Sequence, residues 1–260
     1  MIKCGITGHS GNLGSAIIKK NKNIKFIKFN GDVANKNLVN KWMNLNDFDY
    51  FIHLAAIVPT KKVSKNYKLA KKVNFIGTKN VVDSLIKYKK KLNWFFFAST
   101  SHVYSFSNNK IKESAKIQPI SQYGRTKLFA ENYTINKFKK NNIKFCIGRI
   151  FSIYDNKNND FLISNLKNKM LSKKSRIILS NLNHYRDFVT TKYIERVIIF
   201  LMKRKFNGII NIGSGKKSHL KEIAIKIANK YKKNVKIIDN IKPTTMISDI
   251  SKLNRIGFNK

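Results

Sequence analysis

What most constrains this chain is a regular exchange of short apolar runs with amphipathic stretches over its first 150 residues. Residues 2–7, 24–29, 50–56, 93–99 and 145–149 read as strands, and 13–20, 36–44, 66–88 and 121–141 as helices. The runs at 50–56 (YFIHLAA) and 93–99 (NWFFFAS) are apolar almost without interruption, which marks strands buried on both faces. Strand–helix alternation predicts a parallel sheet covered on both sides, and right-handed crossovers make it a doubly wound α/β fold.

Past residue 150 the pattern loosens. Residues 155–159 read as a polar loop, 161–172, 192–203 and 220–231 as helices, and 177–179, 209–212 and 235–238 as strands. The spacing predicts one domain over 1–150 and a smaller lobe over 151–260, interleaved with the end of the sheet.

Composition narrows the class. With 42% hydrophobic residues in 260, a real core is available, so wholesale disorder is excluded. No apolar run approaches the roughly 20 residues of a membrane span. The N-terminus lacks the charged start and apolar stretch of a signal peptide. Cys4 and Cys146 both fall in expected strands, too few for a disulfide framework, so a reducing cytoplasm is the expected home. The net charge of +40 would attract any polyanion. But the basic residues are spread along the whole chain, and only 7 of the 53 are Arg. A nucleic-acid surface would favour Arg, so a solvated, compositionally drifted surface is the better reading.

The first strand runs into Thr7-Gly8-His9-Ser10-Gly11-Asn12-Leu13-Gly14. Glycines here suit a dinucleotide: Gly8 for a tight turn, Gly11 for close approach of a pyrophosphate, Gly14 for helix packing against the strand. The helix N-terminus then offers N–H groups and a positive dipole to phosphate. Further on, Tyr123 and Lys127 are four apart at the start of a helix and share one face. A lysine ammonium one turn away stabilises a phenolate and lowers the tyrosine's high pKa. The preceding strand ends Ser99-Thr100-Ser101, which brings hydroxyls to the carboxyl edge of the sheet, where such folds bind ligands.

Together these segments resemble the extended short-chain dehydrogenase/reductases, and among them the NAD-dependent epimerase/dehydratase group that acts on nucleotide sugars. The resemblance covers nearly the whole chain and includes TGHSGNLGS at 7–15, GDVANKN at 31–37, HLAA at 53–56, VNFIGTKNVVD at 73–83, FASTSHVYS at 97–105, YGRTK at 123–127, GRIFSIY at 148–154, RDFV at 186–189 and NIGSG at 211–215. It implies a Rossmann-type fold with a small C-terminal substrate-binding lobe. It also implies cofactor contacts from Gly8, Ser10, Gly11, Asn12, Leu13 and Gly14, from Asp32 and Val33 at the adenine, from Leu54, Ala55 and Ala56 along the groove, and from Tyr123 and Lys127. Tyr123 would be the acid–base residue, Lys127 would hold the nicotinamide ribose, and Thr100 would bond the substrate oxygen. Ser101, His102 and Arg186 would face the substrate, Arg186 at its diphosphate. Asp32 as a helix cap and Arg186 as a surface charge remain alternatives. His53 reads as a satisfied core histidine and Asn74 as a structural hydrogen-bonder. No metal is expected, and a homodimer is left open.

The departures from the family pattern also inform. Dehydratases of the family carry Asp-Glu or Ser-Glu after the catalytic hydroxyl, where this chain has Ser101 and His102. A 4,6-dehydratase is therefore disfavoured. Ser152 replaces an Asn often found near the substrate phosphates, and the chain is short for the group. The expectation is an NAD(P)-dependent 4-keto-sugar-nucleotide reductase, with a 4-epimerase as the alternative. A non-catalytic NAD(P) sensor and a nucleic-acid binder come behind. The second strand ends Phe29-Asn30-Gly31, without an acid to claim the adenine ribose, and Lys28 is near, which leans towards NADP.

Overall fold

The computed structural model describes residues 1–58, 60–89, 91–154, 162–172 and 176–258. Its strands are β1 (Ile2–Thr7), β2 (Ile24–Lys28), β3 (Tyr50–His53), β4 (Trp94–Thr100), β5 (Phe145–Ile150), β6 (Ser152–Tyr154), β7 (Arg176–Ser180), β8 (His184–Arg186), β9 (Phe188–Thr190), β10 (Gly208–Ile212), β11 (Ser218–His219), β12 (Asn234–Ile238) and β13 (Thr244–Met246). Its helices are α1 (Asn12–Lys20), α2 (Lys36–Leu45), α3 (Thr60–Lys65), α4 (Tyr67–Lys71), α5 (Thr78–Tyr88), α6 (Gln122–Lys140), α7 (Leu162–Met170), α8 (Thr191–Lys203), α9 (Leu220–Lys230) and α10 (Ser251–Arg255).

Six strands form one parallel sheet in the order β10-β5-β4-β3-β1-β2. Side chains alternate across it, as the period of two demands. Trp94 and Phe96 of β4 enter a core shared with Ile17 of α1 and Ile194, Val197 and Leu201 of α8. Phe95 and Phe97 enter the other core, with Met43 of α2, Val81 and Leu85 of α5, and Ala130 and Phe138 of α6. All four aromatics are fully buried, each worth about 1.5–3 kcal/mol of transfer free energy. Burial on both faces is why 93–99 reads as an unbroken apolar run.

The doubly wound expectation holds, with differences in detail. The strand expected over 50–56 stops at His53. Leu54 makes a last amide bond to the Thr7 carbonyl, and β1 ends there in the glycine turn, leaving nothing to pair with. The helix expected over 66–88 runs unbroken from Tyr67 to Tyr88 but changes its winding midway. Asn66 caps α4, and a π-helical stretch, Lys72–Gly77, precedes α5. The wide turn sets Asn74 inward, where its amide bonds both backbone groups of Ile57 and the hydroxyl of Thr126. Strands β6, β8, β9, β11 and β13 have two or three residues each, too short to show a period. The short helices α3 and α10 have no counterpart among the expected elements. The polar segment 155–159 and the expected helix start at 161 lie outside the described residues.

Past residue 150 the chain returns to the sheet through α8, which packs on it beside α1, and through β10; otherwise it builds small sheets: β6 with β9, β7 with β12, and β8 between β11 and β13. Asp187, fully buried, ties this region together. Its carboxylate accepts from the amides of Ser214, Gly215 and Ser248 and from the hydroxyls of Ser214 and Ser248.

Candidate functional site

The loops after β1, β3, β4 and β5 all open on one edge of the sheet and enclose a cavity of about 620 Å³. It sits where the chain order reverses, between β1 and β3, the place where open α/β sheets take ligands. At one end is the glycine turn. Gly8 has φ of 68°, and a Cβ there would meet the Ala55 amide at 2.6 Å, so no side chain fits. A Cβ on Gly14 would lie 2.3 Å from the Gly8 carbonyl. A Cβ on Gly11 would touch only that carbonyl, at 3.4 Å, and otherwise face open space. Helix α1 starts here with no side-chain cap, so its first amides are left for a ligand. The Asn12 Nδ2 is buried without a partner. Open backbone, a bare helix N-terminus and an orphaned amide fit a dinucleotide pyrophosphate.

At the other end stand the hydroxyl and amine groups. Thr100 closes β4, and its Oγ1 accepts from the His102 amide at 3.3 Å to start a short turn, Ser101–Val103. Ser121 caps α6 by accepting from the Gly124 amide at 3.0 Å, and its Oγ also lies 3.0 Å from His102 Nδ1. That cap places Tyr123 in the first helical turn, its ring edge-on to His102 at 6.0 Å. Lys127 follows one turn later, 1% exposed, with Nζ 4.1 Å from the centre of the Phe97 ring. Burial pushes Lys127 down to about 7, against the opposing pull of Glu131. Burial pushes the Tyr123 phenol up. The lowering of Tyr123 expected from Lys127 is therefore outweighed: desolvation penalises the phenolate, and a lysine near 7 carries only part of a charge at neutral pH. Burial, with Arg186 adding to it, takes His102 down to about 4, so its ring is neutral at physiological pH.

Most expected residues line this one cavity: Gly8, Ser10, Gly11, Asn12, Leu13, Gly14, Leu54, Ala55, Ala56, Thr100, Ser101, His102, Tyr123 and Lys127. Three do not. Asp32 is exposed, and its carboxylate accepts from the Ala34 amide at 2.9 Å in a local turn. The cap of α2 is Asn35 rather than Asp32. Val33 is buried in the core beneath α5, so its side chain is turned from the groove. Arg186 is absent from the wall because its guanidinium is held on β13, donating to the carbonyls of Tyr185 and Thr244 at 2.8 and 2.9 Å and to the Thr244 hydroxyl at 2.9 Å. Burial lowers it to about 10, and among the described residues no carboxylate pairs with it. A half-buried cation with only neutral partners is suited to an anion. His53 is a satisfied core residue, between the hydroxyls of Thr7 and Thr78 at 2.6 and 2.9 Å.

The sequence reading missed Val58, Thr60, Ala98 and Thr191 as cavity walls, and Ile150, Phe151 and Ile153 around Ser152. The last group lies in the GRIFSIY segment, whose position after β5 was the available signal. Among the described residues no cluster of His, Cys, Asp or Glu could hold a metal, and no helix is long and apolar enough to cross a membrane.

A parallel sheet with a glycine turn at its switch point, and a Tyr–Lys pair across the cavity, defines a Rossmann-type α/β oxidoreductase-like enzyme. The model of the NAD dependent epimerase/dehydratase family matches residues 4–213, and the chain belongs to that family. A Methanocaldococcus jannaschii protein, provisionally named a UDP-glucose 4-epimerase, is 29% identical over 84% of this chain and 79% of its own length. The GDP-6-deoxy-D-talose 4-dehydrogenase of Aggregatibacter actinomycetemcomitans is 27% identical over 82% of this chain and 75% of its own. Among solved structures, RMD from Pseudomonas aeruginosa, complexed with NADPH, superposes with a TM-score of 0.87 at 16% identity, covering 98% of this chain and 92% of that one. That likeness is one of fold.

Proposed function

We propose that the protein is an NAD(P)-dependent 4-keto-sugar-nucleotide reductase. The observation that carries this is the cavity wall: Thr100, Tyr123 and Lys127 stand opposite the glycine turn, and no carboxylate lies among the described lining residues. Elimination of water wants such a carboxylate. Reduction of a carbonyl needs only a proton donor at its oxygen.

The nicotinamide, when bound, supplies the hydride. The chain does the rest. Gly8, Ser10, Gly11, Asn12, Leu13 and Gly14 hold the pyrophosphate, and Leu54, Ala55 and Ala56 line the groove beyond it. Asp32 and the backbone of Val33 meet the adenine. Thr100 and Tyr123 bond the substrate oxygen, and Tyr123 moves the proton there. Lys127 holds the ribose, and its ammonium favours the phenolate. Ser101 and His102 face the sugar, and Arg186 takes the substrate diphosphate, with residues 151–260 outside α8, β10 and α10 forming most of the substrate lobe. Lys28 is exposed at the end of β2, with no acid beside it, which favours NADP over NAD. The two buried thiols suit a reducing cytoplasm.

A 4-epimerase is the second reading, favoured by the name of the archaeal relative. Stoichiometry separates the two. The purified protein is given NADPH or NADH with 4-keto sugars on UDP, GDP and dTDP, and in parallel with UDP-glucose. One cofactor oxidised per sugar reduced supports the reductase. Sugar interconversion with no net cofactor use replaces it with the epimerase. Neither activity on any of these overturns the proposal.

A further inference from the structure

One buried carboxylate in contact with the site has no part in the reading above. Glu131 lies one turn beyond Lys127 on α6, fully buried. Its Oε1 accepts from the hydroxyl of Ser99, on the cavity wall next to Thr100. Arg149 clasps both oxygens: Nε donates to each at 3.2 Å, and Nη2 to Oε2 at 2.7 Å. Arg149 stands beside Ser99 in the β4–β5 register. Its Nη1 donates to the Tyr104 hydroxyl at 2.9 Å, which in turn donates to Asn211 of β10 at 2.8 Å. One carboxylate thus joins the helix of Tyr123 and Lys127 to the strand end of Thr100 and to two further strands.

We propose that Glu131 is a positioning residue that fixes the distance between Thr100 and the Tyr123–Lys127 face and sets a negative charge one helical turn from the Lys127 ammonium that the cofactor takes. The inference rests on Lys127 being a cofactor ligand, as read above.

The surroundings of Lys127 leave Glu131 this role. From β4 it meets the Phe97 ring, which carries no charge. From β3 the nearby group is His53, which burial, helped by Lys127, holds down to about 3 and therefore neutral. On α6 it has Tyr123, whose buried phenol is protonated, and Glu131. The one anion among these is Glu131, whose charge is partly offset by Arg149 of β5, the cation that clasps it at 2.7 Å. An opposite charge one helical turn away raises a lysine's pKa.

The test is the affinity for NADPH followed by calorimetry against pH. In the wild type, binding should begin to weaken above the pH at which free Lys127 loses its proton. Glu131→Gln should move that break to lower pH. Removing one member of a buried pair can unfold a protein, so Glu131→Gln/Arg149→Met, which removes both charges, is measured beside it. The break should stay below that of the wild type there too. A break left in place in the folded variants, with only the melting temperature lowered, overturns the proposal and leaves Glu131 a structural clamp. Lys127→Met separates this from the underlying reading. If the break survives in Lys127→Met, Lys127 is not the cofactor's ammonium, and the functional reading fails with it. If Lys127→Met abolishes the break and Glu131→Gln leaves it unmoved, only the inference about Glu131 fails.

Discussion

The six-stranded sheet and the small sheets past residue 150 hold their functional residues in different ways. In the large sheet, backbone pairing sets position: once the parallel register is made, the ends of β1, β3, β4 and β5 must meet at one edge, and the turns after them must share a cavity. β7 and β12 also pair over five residues, but in the small sheet that carries Arg186 the strands have two or three residues and register fixes little. There the geometry depends on side chains, chiefly the five hydrogen bonds into Asp187, whose neighbour is Arg186. A cofactor end built on register should tolerate surface change; a substrate end built on one carboxylate should not.

Substitutions can break that contrast. The largest effect is expected where both ends converge. Tyr123→Phe should cut turnover by about 10²–10⁴-fold and leave NADPH affinity intact, by steady-state kinetics and calorimetry. Next is Asp187→Ala, which strands five donors and should cost about 3 kcal/mol of stability by denaturant titration. NADPH binding by the folded fraction should persist while the KM for the sugar nucleotide rises. Parallel loss of both ligands would show the two regions to be one unit. Gly11→Val should fold, since its Cβ faces open space, yet lose about 100-fold or more in NADPH affinity, because the added methyls occupy the phosphate's place. Undiminished binding would move the cofactor elsewhere. Arg186→Ala should raise the KM for the sugar nucleotide roughly tenfold with NADPH binding unchanged; an equal shift in both would count against the assignment.

The last effect is a slope with pH rather than a step. Lys127 sits near 7 in the folded chain against 10.5 when free. Between those values the unfolded chain holds a proton that the folded one lacks, so stability should fall as pH drops from about 10.5 to about 7 and level off below. Lys127→Met should flatten that part of the curve; identical slopes in the two proteins would contradict the burial effect.

How legible the molecule is from sequence follows the same divide. The glycine turn, the Tyr–Lys spacing and the apolar strands could be read because each is a local pattern whose consequence is set by the fold. The π-helical stretch at Lys72–Gly77 could not: nothing local announces that Asn74 will bond Ile57, seventeen residues back. Strand β8 was invisible for the converse reason, since His-Tyr-Arg has no period and gains its shape from β11 and β13. Arg186 was legible as a residue but not as a location, because the partners that hold it, on Thr244, are 58 positions away.

The bare start of α1 and the unpartnered amide of Asn12 have a consequence outside catalysis. A chain that leaves donors unsatisfied until a ligand arrives is at its weakest when newly made. Dinucleotide at 100 times its dissociation constant would add about 2.7 kcal/mol, a hundredfold fewer unfolded molecules. The protein's survival against proteases would then follow the cell's supply of cofactor, and the amount of enzyme would fall with the same metabolite whose scarcity already slows its reaction.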